Sequence, residues 1–188
     1  IDVIQPYLFA MQVALARLWE SWGITPDSVV GHSMGEVAAA YISGSLSLDD
    51  AANVICTRSL LMNTLRGKGG AMAVTGLSGT EAEKVIKKFN GKLSVAVENS
   101  PDSTVVAGSQ DAIDEVIKEL EEKEIFVRQV KVDVASHSPQ MDEIKDQLVS
   151  KVANVKPQDA KLSIYSSVKG VLLKGKELDA AYWGDNLR

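Results

Sequence analysis

Apolar residues recur at steps of three and four near the start of the chain, which predicts an amphipathic helix. The positions that share its apolar face are Leu8, Met11, Leu15, Leu18 and Trp22. The three tryptophans, Trp19, Trp22 and Trp183, are expected to be packing residues. Pro6 suits the first helical turn, and Gly23 followed by Pro26 predicts the end of the helix. A short apolar run at 28–30 predicts a strand, and residues 37–42 favour a helix. The intervening segment is therefore expected to be a tight turn from strand to helix.

The spacing of apolar residues changes twice more along the chain. Ser47 is placed to cap a largely apolar, buried helix from 48 to about 65, and the glycine-rich stretch 67–70 follows it. Alternation then predicts four strands, with helices after the first and third, and Thr80 and Glu83 are set as a capping box. The predicted strands are 71–75, 93–98, 104–107 and 125–132. The resulting order, β-α-β-β-α-β, is the ferredoxin-like pattern.

The last part of the chain resumes a larger α/β unit. Ser138 and Pro139 form an N-cap and first-turn pair for another amphipathic helix, and 162–168 predicts a further strand. A small unit is therefore expected to interrupt a large one. The expected division is 1–70 for the first part of the large unit, 71–132 for the small unit and 133–188 for the second part.

Composition limits the possible functions. The 188 residues carry 20 basic and 25 acidic side chains, so the net charge is −5 and no basic face favours nucleic acid. No apolar run approaches the ~20 residues of a membrane span, and no signal peptide heads the chain. The single cysteine, Cys56, favours a reducing compartment, so a cytoplasmic location is expected. Since the first residue is Ile1 and not Met, we expect a piece of a longer chain.

The strongest chemical signal is the run Gly31-His32-Ser33-Met34-Gly35. A serine on a sharp strand-to-helix turn projects its hydroxyl away from the backbone, and small flanking residues permit the turn. The Met34 N–H at the start of the following helix could stabilise an oxyanion on a carbonyl bound to Ser33. The alternative is an ordinary loop in which Ser33 only caps the helix.

A nucleophilic serine needs a base, and the chain has two histidines. His32 lies on the turn itself and is expected to have a structural role. His137 precedes the Ser138 helix start, where a neutral imidazole, the form a general base requires, is favoured. A partly buried loop histidine is the alternative for His137, and Asp133 is an unproven candidate for a third, acidic member.

Arg58 lies within the largely apolar helix predicted from 48 onward. Arginine is rarely buried without a partner, and its planar fork matches a carboxylate. That carboxylate could belong to a substrate, or to an internal Asp or Glu in a structural ion pair.

These motifs together resemble the acyltransferase domains of modular polyketide synthases, relatives of the malonyltransferases that load acyl carrier proteins. The resemblance runs from Asp2 to about Leu187. The segments that carry it are Asp2-Val3-Ile4-Gln5-Pro6, Gly31-His32-Ser33-Met34-Gly35-Glu36, Arg58-Ser59, Asn99-Ser100-Pro101, Val134-Ala135-Ser136-His137-Ser138-Pro139 and Tyr182-Trp183. It implies an α/β fold in which an α/β-hydrolase-like large subdomain is interrupted by a ferredoxin-like small subdomain.

The resemblance also implies a reaction. Ser33 would take an acyl group from a coenzyme A thioester as an ester, with His137 as general base and acid, oriented by a backbone carbonyl. Arg58 would pair with the free carboxylate of a malonyl-type extender unit. The acceptor would be the phosphopantetheine thiol of an acyl carrier protein, beside domains such as a ketosynthase. No permanently bound cofactor or metal is implied.

The choice of extender unit is expected to depend on three positions. In the family, a motif ending in Ala-Ser-His accompanies methylmalonyl selection, and malonyl-selective domains place a Phe where Ser136 stands. Val134 departs from the tyrosine usual in the methylmalonyl motif, and Met34 replaces a frequent glutamine. Methylmalonyl is therefore favoured over malonyl, and another α-substituted malonyl unit stays open.

Two other functions compete with acyl transfer to a carrier. A serine esterase or thioesterase would share the Ser33 turn and its base but would pass the acyl group to water. The second competing function is that of a non-catalytic fragment of a multidomain synthase. It is considered because the Gly-Gln-Gly loop that opens the family's sequences is missing, as are the last strand and helix that close them.

Overall fold

Two separate β-sheets, one of three strands and one of four, organise the computed structural model, which describes residues 1–188. They belong to two compact units of the chain. The first unit combines Ile1–Asn63 with Lys145–Leu187, and the second consists of Thr64–Ile144 with Arg188. The expected boundaries after residues 70 and 132 lie within the second unit, and the three-part division stays a prediction.

The three-stranded sheet belongs to the first unit. Its elements are α1 (Ile4–Ser21), β1 (Ser28–Val30), α2 (Gly35–Ile42), α3 (Leu48–Asn63), most of α6 (Asp142–Lys151), β6 (Ser163–Tyr165), β7 (Leu172–Leu173) and α7 (Ala180–Leu187). The strand order is β1-β6-β7. Strands β1 and β6 run parallel, with Val29 opposite Ile164, and β7 is antiparallel to β6. This sheet and its helices form the α/β part of the fold that carries the Ser33 turn.

The four-stranded sheet belongs to the second unit. Its elements are β2 (Gly70–Thr75), α4 (Gly79–Ile86), a 3₁₀ turn (Lys87–Phe89), β3 (Leu93–Ser100), β4 (Ser103–Ser109), α5 (Gln110–Glu122) and β5 (Val127–Val130). The spatial order β3-β4-β2-β5 is antiparallel throughout. The predicted β-α-β-β-α-β order and its ferredoxin-like fold are thereby confirmed.

The core of the second unit forms where α4 and α5 cover one face of that sheet. Ile113, Val116 and Leu120 of α5 are buried against Ala73 and Val106 of the strands. These α5 residues lie at steps of three and four, whereas the strand residues follow a period of two. The apolar residues that the helical and strand periodicities predict therefore pack against each other in one layer.

Two of the three tryptophans do not follow the sequence-based expectation. All three tryptophans were expected to pack internally, and Trp183 is buried, but Trp19 and Trp22 are 50% and 62% exposed. Helix α1 packs against α2 and α3 and buries Phe9, while its predicted apolar face points outward. The prediction was wrong for Trp19 and Trp22 because a helical period shows which residues share a face but not what covers it. No helix of the structure, α1 included, is long and apolar enough to cross a membrane.

The cap of α4 also differs from the expectation. The capping box is formed by Ser78 and Glu81, not by Thr80 and Glu83. The Ser78 hydroxyl accepts from the Glu81 amide at 3.4 Å, and the Ser78 amide donates to the Glu81 carboxylate at 2.9 Å. Both pairs have the required spacing, so the choice depends on where the helix begins, which is at Gly79.

Removing the observed cap should destabilise the protein, whereas removing the expected one should not. Ser78→Ala is expected to lower the free energy of unfolding by about 1 kcal/mol, because an amide of the first turn loses its acceptor. Thr80→Ala, at an exposed position of the same helix, should change it by less than about 0.5 kcal/mol. Denaturant unfolding of both variants measures the difference, and equal losses would contradict this assignment of the cap.

Candidate active site

The candidate site begins at the turn between β1 and α2. Ser33 has a positive φ of 51°, a left-handed conformation that residues other than glycine rarely adopt. A Cβ atom at Gly31 would collide with the backbone of Glu36, so the chain can fold back this tightly only with glycine there. Hydrogen bonds from the Gly35 amide to the His32 carbonyl (2.9 Å) and from the Glu36 amide to the Ser33 carbonyl (3.1 Å) close the turn. The strand-to-helix turn predicted from the sequence is therefore present.

Met34 lies at the helix end of the turn. It is the N-cap residue of α2, so its amide stands outside the intrahelical hydrogen-bond ladder. The positive end of the α2 dipole lies at the same place. An amide in this position can donate to a negatively charged oxygen beside Ser33.

Arg58 approaches Ser33 from α3. The residue is 1% exposed, and its guanidinium donates from Nη1 to Gln5 Oε1 at 2.7 Å and from Nη2 to Ser33 Oγ at 3.1 Å. Its Nε is buried without a partner. Burial lowers the pKa of Arg58 to about 10, so the side chain is still charged at neutral pH.

No Asp or Glu of the chain forms an ion pair with Arg58, so the structural ion pair considered from the sequence is absent. A buried cation that has only neutral partners is poorly compensated. Each terminal nitrogen has one partner and the Nε–H is spare, so the guanidinium can donate to both oxygens of an incoming carboxylate. The site therefore favours an anionic group next to the Ser33 hydroxyl.

Glu36 and Asn186 also belong to this site, although no sequence motif predicts a role for either residue. Glu36 is fully buried and hydrogen-bonds to the side chain of Asn186, which in turn donates to the Ser33 carbonyl at 3.2 Å. The only local signal was an acidic residue at the start of the apolar helix α2. Its partners lie about 150 positions away and could not be identified from spacing.

The remaining predicted site residues lie on one loop of the second unit, between β5 and the 3₁₀ turn Pro139–Met141. Val134 is buried, and Ser136 and His137 are partly buried. His137 has a positive φ of 57°, and its carbonyl accepts from the Ser94 hydroxyl at 3.3 Å. The loop is held in a defined conformation at the predicted histidine.

Local hydrogen bonds fix the rest of this loop. The Ala135 amide donates to Gln140 Oε1 at 2.8 Å, and the Ser138 hydroxyl donates to the Ala135 carbonyl at 2.7 Å. Ser138 is the N-cap, as predicted, and accepts from the Gln140 amide. Asp133, the candidate acid, pairs with Arg66 at 3.0 Å, and this partner holds its pKa below the usual range. Its carboxylate is therefore engaged by an arginine.

Backbone conformation singles out the two predicted catalytic residues. Four residues other than glycine have positive φ, namely Ser33, Asn90, Glu124 and His137. Asn90 and Glu124 follow the ends of helices, where a left-handed residue commonly closes the last turn. Ser33 and His137 instead precede helical segments, and strained residues of this kind are concentrated at functional sites.

Comparison with known proteins identifies the family. The family model described as "Acyl transferase domain" matches residues 1–188. Erythronolide synthase EryA3 of Saccharopolyspora erythraea is 44% identical over 189 residues, which are 100% of this chain and 6% of that protein. The acyltransferase domain from module 8 of the salinomycin polyketide synthase superposes with a TM-score of 0.96 at 38% identity, covering 100% of this chain and 44% of the other.

A more distant solved structure has the same fold. The malonyl CoA-acyl carrier protein transacylase from Coxiella burnetii superposes with a TM-score of 0.90 at 27% identity, over 99% of this chain and 61% of that protein. The chain thus spans less than two thirds of each of these three proteins. With a family match over its whole length, the chain belongs to the acyl transferase domain family, among the acyltransferase domains of polyketide synthases.

Proposed function

We propose that this chain moves an α-carboxyacyl group from a coenzyme A thioester to the phosphopantetheine thiol of an acyl carrier protein in polyketide assembly. The observation that carries the proposal is the buried Arg58 guanidinium, which lacks a carboxylate partner and lies 3.1 Å from Ser33 Oγ. Membership of the acyltransferase family supports the reaction class. The name of the Coxiella burnetii relative, a malonyl CoA-acyl carrier protein transacylase, supports this donor and acceptor.

The proposed reaction has two half-reactions through an ester of Ser33. In the first, Ser33 Oγ attacks the thioester carbonyl, His137 takes the hydroxyl proton, and the C–S bond breaks as that proton passes to the departing coenzyme A sulfur. In the second, His137 takes the proton of the carrier thiol and the sulfur attacks the ester carbonyl. The ester C–O bond then breaks as His137 returns the proton to Ser33 Oγ, which restores both residues. The Met34 N–H stabilises the negative oxygen formed in each step.

Arg58 is the proposed carboxylate anchor. Because the guanidinium is already desolvated, a malonyl-type carboxylate gains a charged, bidentate partner, whereas an acetyl group leaves the cation uncompensated. Gln5 Oε1 is the neutral partner of Nη1 when no substrate is bound. This arrangement favours transfer of a carboxylated acyl group over an esterase or thioesterase, which needs no buried cation beside the nucleophile.

For the extender unit, we favour methylmalonyl over malonyl. The support is the Val134-Ala135-Ser136-His137 motif, in which Ser136 is small where a malonyl-selective domain has Phe. Met34 is the third proposed selectivity position. A carrier protein and a neighbouring ketosynthase are the proposed partners, and coenzyme A and phosphopantetheine act as substrate groups and not as resident cofactors. The cytoplasmic location expected from Cys56 stays a prediction.

Ser33→Ala should abolish formation of the acyl-enzyme. We expect the full-length protein that carries this sequence to gain the mass of a malonyl-type acyl group on brief exposure to the thioester, because Ser33 forms a covalent ester. Intact-mass spectrometry measures the gain. Ser28→Ala, at an exposed serine of β1, should still be labelled. A label that persists in Ser33→Ala would show that Ser33 is not the nucleophile.

Arg58→Ala should act selectively on carboxylated donors. Loss of a bidentate pair is expected to raise the barrier for malonyl-type donors by about 2–4 kcal/mol, or roughly 30- to 1,000-fold in kcat/KM. The small rate with acetyl-coenzyme A should change much less. Arg58→Lys keeps the charge but not the fork and should give an intermediate loss. Equal losses for acetyl and malonyl donors, normalised to the fraction of protein that can be acylated, would remove Arg58 from this role.

Ser136→Phe should shift the choice of extender unit toward malonyl. An aromatic ring at this position is expected to crowd an α-methyl group. This crowding should disfavour methylmalonyl relative to malonyl by about 1–3 kcal/mol. Labelling with equal malonyl- and methylmalonyl-coenzyme A measures the ratio of the two adducts. Ser136→Ala, which adds no bulk, should leave that ratio close to the wild-type value. An unchanged ratio in Ser136→Phe would contradict the assignment of Ser136 to selectivity.

A further inference from the structure

Glu36 is a buried carboxylate whose partners are all neutral. It is 0% exposed and accepts four hydrogen bonds, and no lysine or arginine forms an ion pair with it. A carboxylate survives such burial only when hydrogen bonds replace its lost hydration. Four donors on two oxygens supply that replacement, so the group is held in one orientation.

The four donors come from two segments far along the chain. Ser167, which follows β6, donates its amide to Oε1 at 3.0 Å and its hydroxyl to Oε2 at 3.1 Å. On α7, the Tyr182 hydroxyl donates to Oε1 and Asn186 Nδ2 donates to Oε2 at 2.7 Å. Burial, assisted by Glu36, raises the pKa of Tyr182, so its hydroxyl remains a donor. Glu36 therefore joins the first turn of α2 to both segments.

Asn186 extends this network to the nucleophile. Its Nδ2 carries two hydrogens, and the structure uses one for Glu36 Oε2 at 2.7 Å and the other for the Ser33 carbonyl oxygen at 3.2 Å. The reversed amide would place Oδ1 against two acceptor oxygens, which is repulsive. Asn186 Oδ1 is buried without a partner, so nothing else on this side chain selects the orientation. Glu36, together with the Ser33 carbonyl, thus sets the direction of the Asn186 amide.

The Ser33 carbonyl and the Met34 N–H belong to the same peptide group. Because that group is planar and trans, a hydrogen bond that holds the carbonyl oxygen also fixes the direction of the N–H. The Ser33 oxygen receives two such bonds, one from the Glu36 amide at 3.1 Å and one from Asn186. The Asn186 bond resists rotation of the strained Ser33 backbone toward a more relaxed φ.

We propose that Glu36 and Asn186 are positioning residues that aim the Ser33–Met34 peptide N–H at the oxyanion formed on the substrate carbonyl. The inference rests on the proposed function, since it takes Ser33 as the nucleophile. Neither side chain needs to touch the substrate. Glu36 acts through Asn186, and Asn186 acts through the peptide group.

The test measures the rate of acylation of Ser33 by malonyl-coenzyme A in the full-length protein. Asn186→Ala removes the bond to the Ser33 carbonyl, and Glu36→Gln replaces one acceptor oxygen of the network by a donor. Tyr182→Phe is the matched control, because it removes a donor to the same carboxylate from the same helix but has no bond to Ser33. Rapid-quench intact-mass spectrometry gives both the acylation rate constant and the final fraction of protein labelled.

We expect Asn186→Ala to lower the limiting acylation rate roughly ten- to a hundredfold. The reason is that the Met34 N–H no longer points at the oxyanion and cannot stabilise it in the transition state. The thioester concentration at half-maximal rate should change little, because the oxyanion does not exist in the bound substrate. Glu36→Gln should lower the same rate constant. Tyr182→Phe should remain within about threefold of wild type, and the double Glu36→Gln/Asn186→Ala variant should be no slower than Asn186→Ala alone.

Two results would overturn this inference and leave the proposed function intact. In the first, wild type is labelled at Ser33 and the two variants are acylated at the wild-type rate per labelled molecule. In the second, only the labelled fraction falls, in step with thermal stability, which is the signature of a merely structural network. Failure of wild type to label at Ser33 would instead overturn the proposed function, and this inference with it.

Discussion

The turn from β1 into α2 closes so tightly that Gly31 has no room for a side chain, and Ser33 is forced into a left-handed conformation. Because of this constraint, the chain passes from the Ser33 hydroxyl through the Met34 amide directly into the first turn of α2. Side chains from distant parts of the chain converge on the same point. Arg58 reaches the Ser33 hydroxyl from α3, and Asn186 reaches the Ser33 carbonyl from α7.

Two buried charged side chains, Glu36 and Arg58, lie at this turn, and they differ in how their hydrogen-bonding groups are satisfied. Glu36 is satisfied by four donors from the protein, so it has no capacity left for a ligand. Arg58 has two neutral acceptors and an unused Nε–H, so its charge is left for a partner that the protein does not provide. The contrast separates a carboxylate that maintains the shape of the turn from a cation that is suited to bind an anionic substrate.

Much of this arrangement could be predicted from local patterns. The strand at 28–30, the turn at Ser33 and the ferredoxin-like order of elements all follow from periodicity and turn chemistry. The cap of α4 could not be chosen in this way, because Ser78 with Glu81 and Thr80 with Glu83 have the same spacing. The exposure of Trp19 and Trp22 depends on what packs against α1, which a helical period does not show.

The network around Glu36 shows why the rest of the site needed the structure. Its partners lie 131, 146 and 150 positions along the chain, at Ser167, Tyr182 and Asn186. Contacts over such distances are set by how β6 and α7 pack beside α2, and no spacing rule encodes them. The same is true of the pairing between Arg58 and Gln5, 53 positions apart. The predicted nucleophile was recognisable from its neighbours in sequence, whereas the groups that orient it were not.

We propose that the buried, uncompensated arginine beside Ser33 selects a carboxylated acyl group for ester formation. The most direct measurement exposes the full-length protein briefly to equal concentrations of acetyl- and malonyl-type coenzyme A thioesters and maps the adduct by peptide mass spectrometry. We predict a carboxylated acyl group on Ser33 and almost no acetyl adduct. Comparable acetyl and carboxyacyl labelling of Ser33, or labelling at another residue, would contradict the claim.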